Sequence, residues 1–168
     1  MSIAAETGLW QLDAGSSTVA LRNKTMWGLV TVKGTFGVVR GQGEVLPDGT
    51  VTGTLSLDAA TLDTKNAKRD EHLRSADFLD VAQYPEIAFV VRSVERGRPD
   101  AAEIKGELTA HGITRPQAVT ARLTEEAGAL TLDAEFAVDR ADFGVGGNQL
   151  GMMGARTTLV ASLRFTHA

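Results

Sequence analysis

Few residues in this 168-residue chain have the type and spacing that chemistry demands. The three histidines, His72, His111 and His167, are the natural proton carriers or metal ligands near neutral pH. None stands at metal-ligand spacing from another His, and there is no Cys to complete a set. The lack of Cys also excludes disulfides and thiolate nucleophiles. Asp70 and His72 are two positions apart, which on a helix puts them on different faces. No Gly-x-Ser-x-Gly elbow and no His-Glu-x-x-His motif occurs. The acids are numerous, but their spacing singles out no catalytic pair. Enzymatic chemistry therefore has little positive support, and no metal site is expected.

Two segments remain as chemical candidates. The run Gly144 to Gly154 is rich in glycine, like a phosphate cradle. A cradle needs a helix N-terminus behind it, whereas Arg156, Thr157, Thr158 and Leu159 read as the start of a strand. The run is better read as a mobile loop at a rim, with Met152 and Met153 as adaptable apolar contacts. The second segment holds Lys65, Lys68, Arg69 and Arg74, with Asp70 and Glu71 among them. Three readings stay open for it: a solvated helix face, an Arg69 or Arg74 that points at a ligand's polar head, or an internal pairing through Arg69 or Asp70 that holds the helix in place.

The elements that would position these groups follow from periodicity. Val51, Gly53, Leu55 and Leu57 alternate with polar residues, and so do Ile104, Gly106, Leu108 and Ala110. The same pattern runs through Leu130, Leu132, Ala134, Phe136 and Val138, and through Leu159, Ala161, Leu163 and Phe165. A period of two means strands with one face in water and one face inward. Many inward members are Gly or Ala, which leave volume unfilled. A closed sheet of about eight strands is wide enough to hold one ligand when its inner side chains are small.

Strands are expected near 10–13, 18–24, 29–46, 50–58, 86–96, 102–110, 117–124, 129–139 and 157–166. The third is long and carries Gly34, Gly37, Gly41 and Gly43, which mark a bend or bulge. Pro47-Asp48-Gly49 is a hairpin turn, and Arg115-Pro116 and Glu126 to Gly128 are read as two more. The β rhythm breaks once, from about 59 to 85. Asn66 to Arg74 is rich in helix formers, with Asp63 or Thr64 as its cap and Ser75 capping a second short turn. Such an excursion could plug or lid one mouth of a barrel.

Bulk properties agree with an ordinary globular protein: 43% hydrophobic, 23% charged and 18 glycines. The length predicts a single domain over 1–168, with residues 1–7 as a flexible tail. A net charge of −4 argues against nucleic acid as a partner. No apolar run approaches a membrane span. The first residues show neither a basic n-region nor a long apolar core, so no secretory signal is read and the expected location is the cytoplasm.

Several separated blocks carry a resemblance. They are Trp10-Gln11-Leu12-Asp13, Val32-Lys33-Gly34-Thr35-Phe36 and Leu62-Asp63-Thr64, then Arg69 through Phe78 and Tyr84 through Phe89. Gly106 through Thr114 and Asp139-Arg140-Ala141-Asp142-Phe143-Gly144 complete the set. In their order and spacing the chain resembles the YceI family, polyisoprenoid-binding proteins of lipocalin-like shape. The resemblance covers nearly the whole chain. It implies an all-β, eight-stranded antiparallel lipocalin-like barrel holding a long isoprenoid chain, such as a quinone or prenylated phenol tail. It implies no metal or redox cofactor, a bound lipid instead, only transient membrane contact, and room for a homodimer. The chain departs from the family at Thr25, where His is usual, at Leu79, where a second Phe is usual, and around Gly154, Ala155 and Arg156, where acids are usual. These departures point to a different head group and leave the apolar interior intact.

Combined with the alternation, this gives an expected cavity wall of Trp27, Val32, Phe36, Gly53, Leu55, Leu73, Phe78, Phe89, Gly106, Leu108, Phe136, Phe143 and Leu163. Arg69, Arg74 and His72 are the expected head-group contacts. Enlarging Gly53 or Gly106 to Leu is expected to block the bore. The expected function is a soluble lipid-binding or carrier protein. Two rivals stay open: an enzyme acting on a prenylated substrate through His72 or His111, and a solid-cored module that binds a partner on its outer face.

Overall fold

Alternation becomes strand wherever it is strong. The computed structural model describes residues 7–25, 30–76, 78–98, 100–145 and 153–167. The strands are β1 (Gly8–Leu12), β2 (Thr18–Thr25), β3 (Val30–Phe36), β4 (Val39–Val45), β5 (Val51–Asp58), β6 (Leu62–Asp63), β7 (Glu86–Arg98), β8 (Ala101–Ala110), β9 (Ile113–Glu126), β10 (Ala129–Asp139) and β11 (Met153–His167). One α-helix, α1 (Ala67–Arg74), lies between β6 and β7. Of the expected tail, residues 1–6 lie outside the described residues. Thr7 is tied down: its carbonyl accepts from His167 Nε2 at 3.0 Å.

The strands close into a ring. β1 pairs with β4, and pairing then passes antiparallel through β5, β7, β8, β9, β10 and β11 before returning to β1. That is an eight-stranded antiparallel barrel. β2 prolongs the line of β1 along β11, and β3 prolongs the line of β4 while pairing with β2. The long strand expected over 29–46 is thus two strands in line, broken at Gly37 and Val38, with Leu29 outside the described residues. Gly37 N–H and Val38 N–H both donate to Thr61 Oγ1, at 3.0 and 3.1 Å, so the break is bonded rather than loose.

Turn chemistry agrees with the sequence at two places and corrects it at a third. Leu46 and Thr50 close the Pro47-Asp48-Gly49 hairpin at 2.8 Å, and Thr50 N–H donates to Asp48 Oδ1 at 2.9 Å. Ala127 and Gly128 have φ of 42° and 84°, the left-handed pair of a two-residue hairpin. Arg115-Pro116, expected as a turn, lies inside β9, and the turn falls at His111-Gly112, with φ of 53° and 74°. The reason is local. β9 pairs with β10 only from Ala121 to Glu126, so Pro116 sits where one flank of the strand has no ladder to disrupt.

Gly106 also differs from expectation. A Cβ there would overlap the Val90 carbonyl oxygen and stand 2.7 Å from Phe89 Cζ. The strand register shifts beside it, between Val91 and Ser93. Gly106 therefore admits a bulge and the Phe89 ring. A leucine there would disrupt the sheet before it narrowed the bore.

The excursion is one eight-residue helix, a short strand and several turns. β6 pairs with β3 at Thr35 and Phe36, so the sheet continues into it. Asn66, rather than Asp63 or Thr64, caps α1: its side chain accepts from Arg69 N–H at 3.0 Å. After Ser75 come turns, with Phe78 N–H donating to the Ser75 carbonyl at 3.0 Å. An eight-residue helix is too short to stand alone. It is held by Leu73, which enters the core, and by Asp70, only 5% exposed.

Asp70 accepts from Thr64 N–H at 2.9 Å and from the Thr64 hydroxyl. Arg69 donates to Thr64 Oγ1 at 2.8 Å and to its carbonyl at 2.7 Å. Arg74 donates to the Ala60 carbonyl at 2.9 Å. Of the three readings of this basic segment, internal anchoring is what these bonds build. Gly34 makes the approach possible, since a Cβ there would lie 2.8 Å from Leu62 Cδ1 and 2.9 Å from Thr64 Cγ2.

Burial works to raise the Asp70 pKa, but the Thr64 hydrogen bonds, then the Arg74 and Arg69 charges, outweigh it and hold the carboxyl below its ordinary value. A carboxyl lowered in the folded state stabilises above its unfolded pKa of about 3.9, and that stability is lost as pH falls through the lowered folded value. Asp70→Asn is expected to cost about 1–2 kcal/mol at neutral pH and to flatten the loss of stability below about pH 4. Urea unfolding at neutral and acid pH reads both, and an acid limb of unchanged steepness would show that Asp70 is not what acid titrates. Gly106→Ala is expected to cost about 1–3 kcal/mol in the same assay. A wild-type midpoint would mean that the Val90 carbonyl can move aside freely.

Candidate apolar ligand cavity

Inside the ring, side-chain size decides what is full and what is empty. Ala102 on β8 faces Ala121 on β9, Ala121 faces Ala134 on β10, and Ala134 faces Ala161 on β11. Across the ring, Trp10 faces Gly43 and Gly43 faces Gly53. This belt of small side chains leaves a cavity of about 210 Å³. Ala102, Ala134, Ala161, Gly43 and Gly53 line it, together with larger residues such as Leu55, Phe89, Phe136 and Leu163. Several of its apolar walls keep partial exposure, among them Leu55, Phe89, Val91, Leu132, Phe136 and Phe165. In a solid core, inward residues of this kind would be fully buried. Here they face a void.

A second cavity of about 110 Å³ lies at the end covered by the excursion. Val32, Phe36, Leu73, Phe78 and Phe143 line it, and so do Leu62 and Leu79. Leu57, Ile87, Leu108 and Leu159 line both cavities, so the two stand in series along one bore. The first cavity reaches Val45, Val51 and Leu130, at the opposite end of the barrel from α1.

Of the expected wall, Gly53, Leu55, Phe89, Leu108, Phe136 and Leu163 line the first cavity. Val32, Phe36, Leu73, Phe78, Leu108 and Phe143 line the second. Gly106 lines neither among the described residues, and Trp27 lies outside them. Arg69, Arg74 and His72 do not line either cavity. Arg69 and Arg74 bond to Thr64 and to backbone carbonyls, and His72 is exposed, with its ring edge-on to Phe78 at 4.9 Å.

The other two histidines also have structural contacts. His111 Nδ1 lies 3.1 Å from the Phe143 carbonyl, with its ring 4.8 Å from that of Tyr84. His167 packs edge-on against Trp10 at 5.1 Å. Among the described residues no cluster of His, Cys, Asp and Glu could hold a metal ion. No helix among them is long and apolar enough to cross a membrane. Of the departures noted in the sequence, Leu79 lines the second cavity and Arg156 is exposed.

Three polar residues went unmarked as site residues in the sequence. Asn23, Thr157 and Arg140 line the second cavity. Asn23 follows Val19 and Leu21 on the inward phase of β2, and that phase was the available signal. Desolvation lowers the Arg140 pKa, and Asp139 opposes the shift. An arginine remains charged through such a change; its Nη1 donates to the Val145 carbonyl at 3.3 Å, and the surface the second cavity presents is almost wholly apolar.

The arrangement can shelter an extended apolar molecule along a bore whose surface is almost wholly apolar. The YceI-like domain family matches residues 10–165. A UPF0312 protein of Pseudomonas savastanoi is 43% identical over 72 residues, which are 43% of this chain and 38% of that protein. Protein YceI of Escherichia coli is 42% identical over 69 residues, 41% of this chain and 36% of that protein. The matched stretches thus span well under half the length of these relatives. In fold, the chain is similar to BcnA of Burkholderia cenocepacia, with a TM-score of 0.84 at 20% identity over 91% of this chain and 98% of that one. It is also similar to a polyisoprenoid binding domain from Saccharophagus degradans, with a TM-score of 0.79 at 14% identity over 97% and 100%. The domain match takes in nearly the whole barrel, and on that ground this chain belongs to the YceI-like family.

Proposed function

We propose that this protein binds and carries one long apolar lipid of the isoprenoid class, with its chain threaded along the bore. The observation that carries the reading is the incomplete burial of inward apolar side chains such as Leu55, Phe89 and Phe136 around a connected pair of cavities. The polyisoprenoid binding named for the Saccharophagus degradans domain supports the ligand class. Each cavity alone is smaller than the roughly 300 Å³ of a compact drug-sized pocket, so a ligand that fills both is long and thin. That shape suits a prenyl chain better than a compact metabolite.

Energetics favour a carrier over a sink. A free chain gains about 0.8 kcal/mol for each CH₂ removed from water. Its real competitor is the bilayer, where the chain is already dry. Transfer between bilayer and barrel is close to neutral, so selectivity rests on chain length, bore shape and the head group.

The test is to purify the protein gently, extract it with organic solvent and identify the released lipid by mass spectrometry. A polyprenyl compound near one per chain is expected. Ala134→Phe and Ala161→Phe, which fill the first cavity from its wall, are expected to lower recovery about tenfold without unfolding the barrel. A blank extract from folded wild type, or full retention by both filled variants, would sink the proposal.

A further inference from the structure

The seam between β9 and β10 is sealed along only part of its length. The strands pair from Glu126 with Ala129 to Ala121 with Ala134, and there their ladder stops. Both strands run past that point. β9 reaches back to Ile113 in its ladder with β8, and β10 reaches on to Asp139 in its ladder with β11. A 3-10 turn, Arg140–Phe143, then crosses from the end of β10 to the start of β9. Arg115 Nε donates to the Asp142 carbonyl at 3.0 Å, and His111 Nδ1 donates to the Phe143 carbonyl at 3.1 Å. Gly144 follows close against Ile113, where a Cβ would stand 3.2 Å from Ile113 Cδ1. The backbone bonds at the turn are local: Gly144 N–H donates to the Ala141 carbonyl and Val145 N–H to the Arg140 carbonyl, both at 3.1 Å.

The second cavity meets the same seam from inside. Leu108 and Ala110 of β8 line it, and so does Val138 of β10, but among the described residues none of β9 does. Phe143, 5% exposed, and Val145 complete that wall instead. The cavity is thus walled here by side chains on a turn and not by a strand.

Resting on the carrier reading above, we propose that the lipid enters and leaves through this seam, with the turn Arg140–Phe143 as the door and Phe143 as its plug. Swinging the turn outward breaks no strand pairing. It breaks side-chain bonds from Arg115, which is exposed, and His111, which is half-buried, and bonds of that kind belong to the easily opened parts of a fold. Pro116 lies on the free stretch of β9 and blunts it against pairing with another strand. A side entrance also suits a bore whose surface is almost wholly apolar, because the chain slides in while the polar head stays in water.

The experiment follows all-trans-retinol, a fluorescent isoprenoid, into delipidated protein by stopped flow. The chain has no Cys, so Arg115→Cys with Asp142→Cys, both at exposed positions, can be joined by a short bis-maleimide in the folded protein. The joined protein is expected to take up retinol about tenfold more slowly than the same protein before joining, because the local opening is blocked. Arg115→Met is expected to raise the entry and exit rates together by about fivefold, the worth of one hydrogen bond, with the affinity unchanged. A merely structural bond would change affinity or stability without moving both rates in step. Val51→Trp, at the far mouth of the first cavity, is expected to leave the entry rate as it is. Uptake by the joined protein at the unjoined rate, or rates unmoved by Arg115→Met, would overturn the door, as would a tenfold slowing by Val51→Trp. If folded wild type binds no retinol and yields no lipid on extraction, the carrier reading fails instead.

Discussion

The width of the bore follows from the small residues on its inner face. Hydrogen bonding fixes neighbouring strands about 4.8 Å apart, so once strand number and stagger are set the circumference of the ring is set as well. What remains adjustable is the volume of inward side chains. Ala102, Ala121, Ala134 and Ala161 on four adjoining strands, with Gly43 and Gly53 across from them, leave that ring partly hollow. Emptiness is costly. At roughly 24 cal/mol per Å³, a void of about 210 Å³ forgoes on the order of 5 kcal/mol of packing. That is comparable to the whole stability of a modest domain, roughly 5–15 kcal/mol. On the carrier reading, a ligand that filled the void would recover much of this, and binding would raise stability.

The covered end solves a different problem. A short polar helix has little apolar face with which to hold itself on a barrel. Thr64 stands between two charges of opposite sign: its hydroxyl donates to Asp70 and accepts from Arg69, while its own N–H and carbonyl are also taken. The charges serve the cover, and the apolar side chains of the same segment, Leu73 and Phe78, serve the cavity. Among the described residues no buried polar side-chain atom lacks a partner. The inner wall itself presents almost no polar surface.

Much of the fold was legible because period-two alternation is a strong signal and glycines mark bends. The break at Gly37, the hairpins at Asp48 and Gly128 and the position of the helix all follow from such local rules. The misreadings share one cause, which is that long-range contact decides them. Pro116 looks like a turn residue unless one knows that β10 does not pair beside it. Gly106 looks like an opening in the wall unless one knows that the Phe89 ring fills its place. Arg69 and Arg74 look available for a ligand until the backbone carbonyls of Thr64 and Ala60 are brought to them by the fold. Asn23 and Arg140 are the reverse case. Each is an ordinary polar residue in the chain, and only the pairing of β2 and β10 with opposite edges of β11 brings them to the wall of one cavity.

Ring closure by β1 and β11 has a consequence for biosynthesis. The chain leaves the ribosome from its first strand onward, and Trp10 cannot meet His167 until the last strand has emerged. Until then the nascent sheet has two open edges, and its greasy inner face is unprotected. Contacts of such long sequence separation form slowly, and unsealed edges invite pairing with other chains. Charged residues on the outer face, such as Arg22, Glu135, Arg92 and Glu107, are the kind of surface that opposes such association.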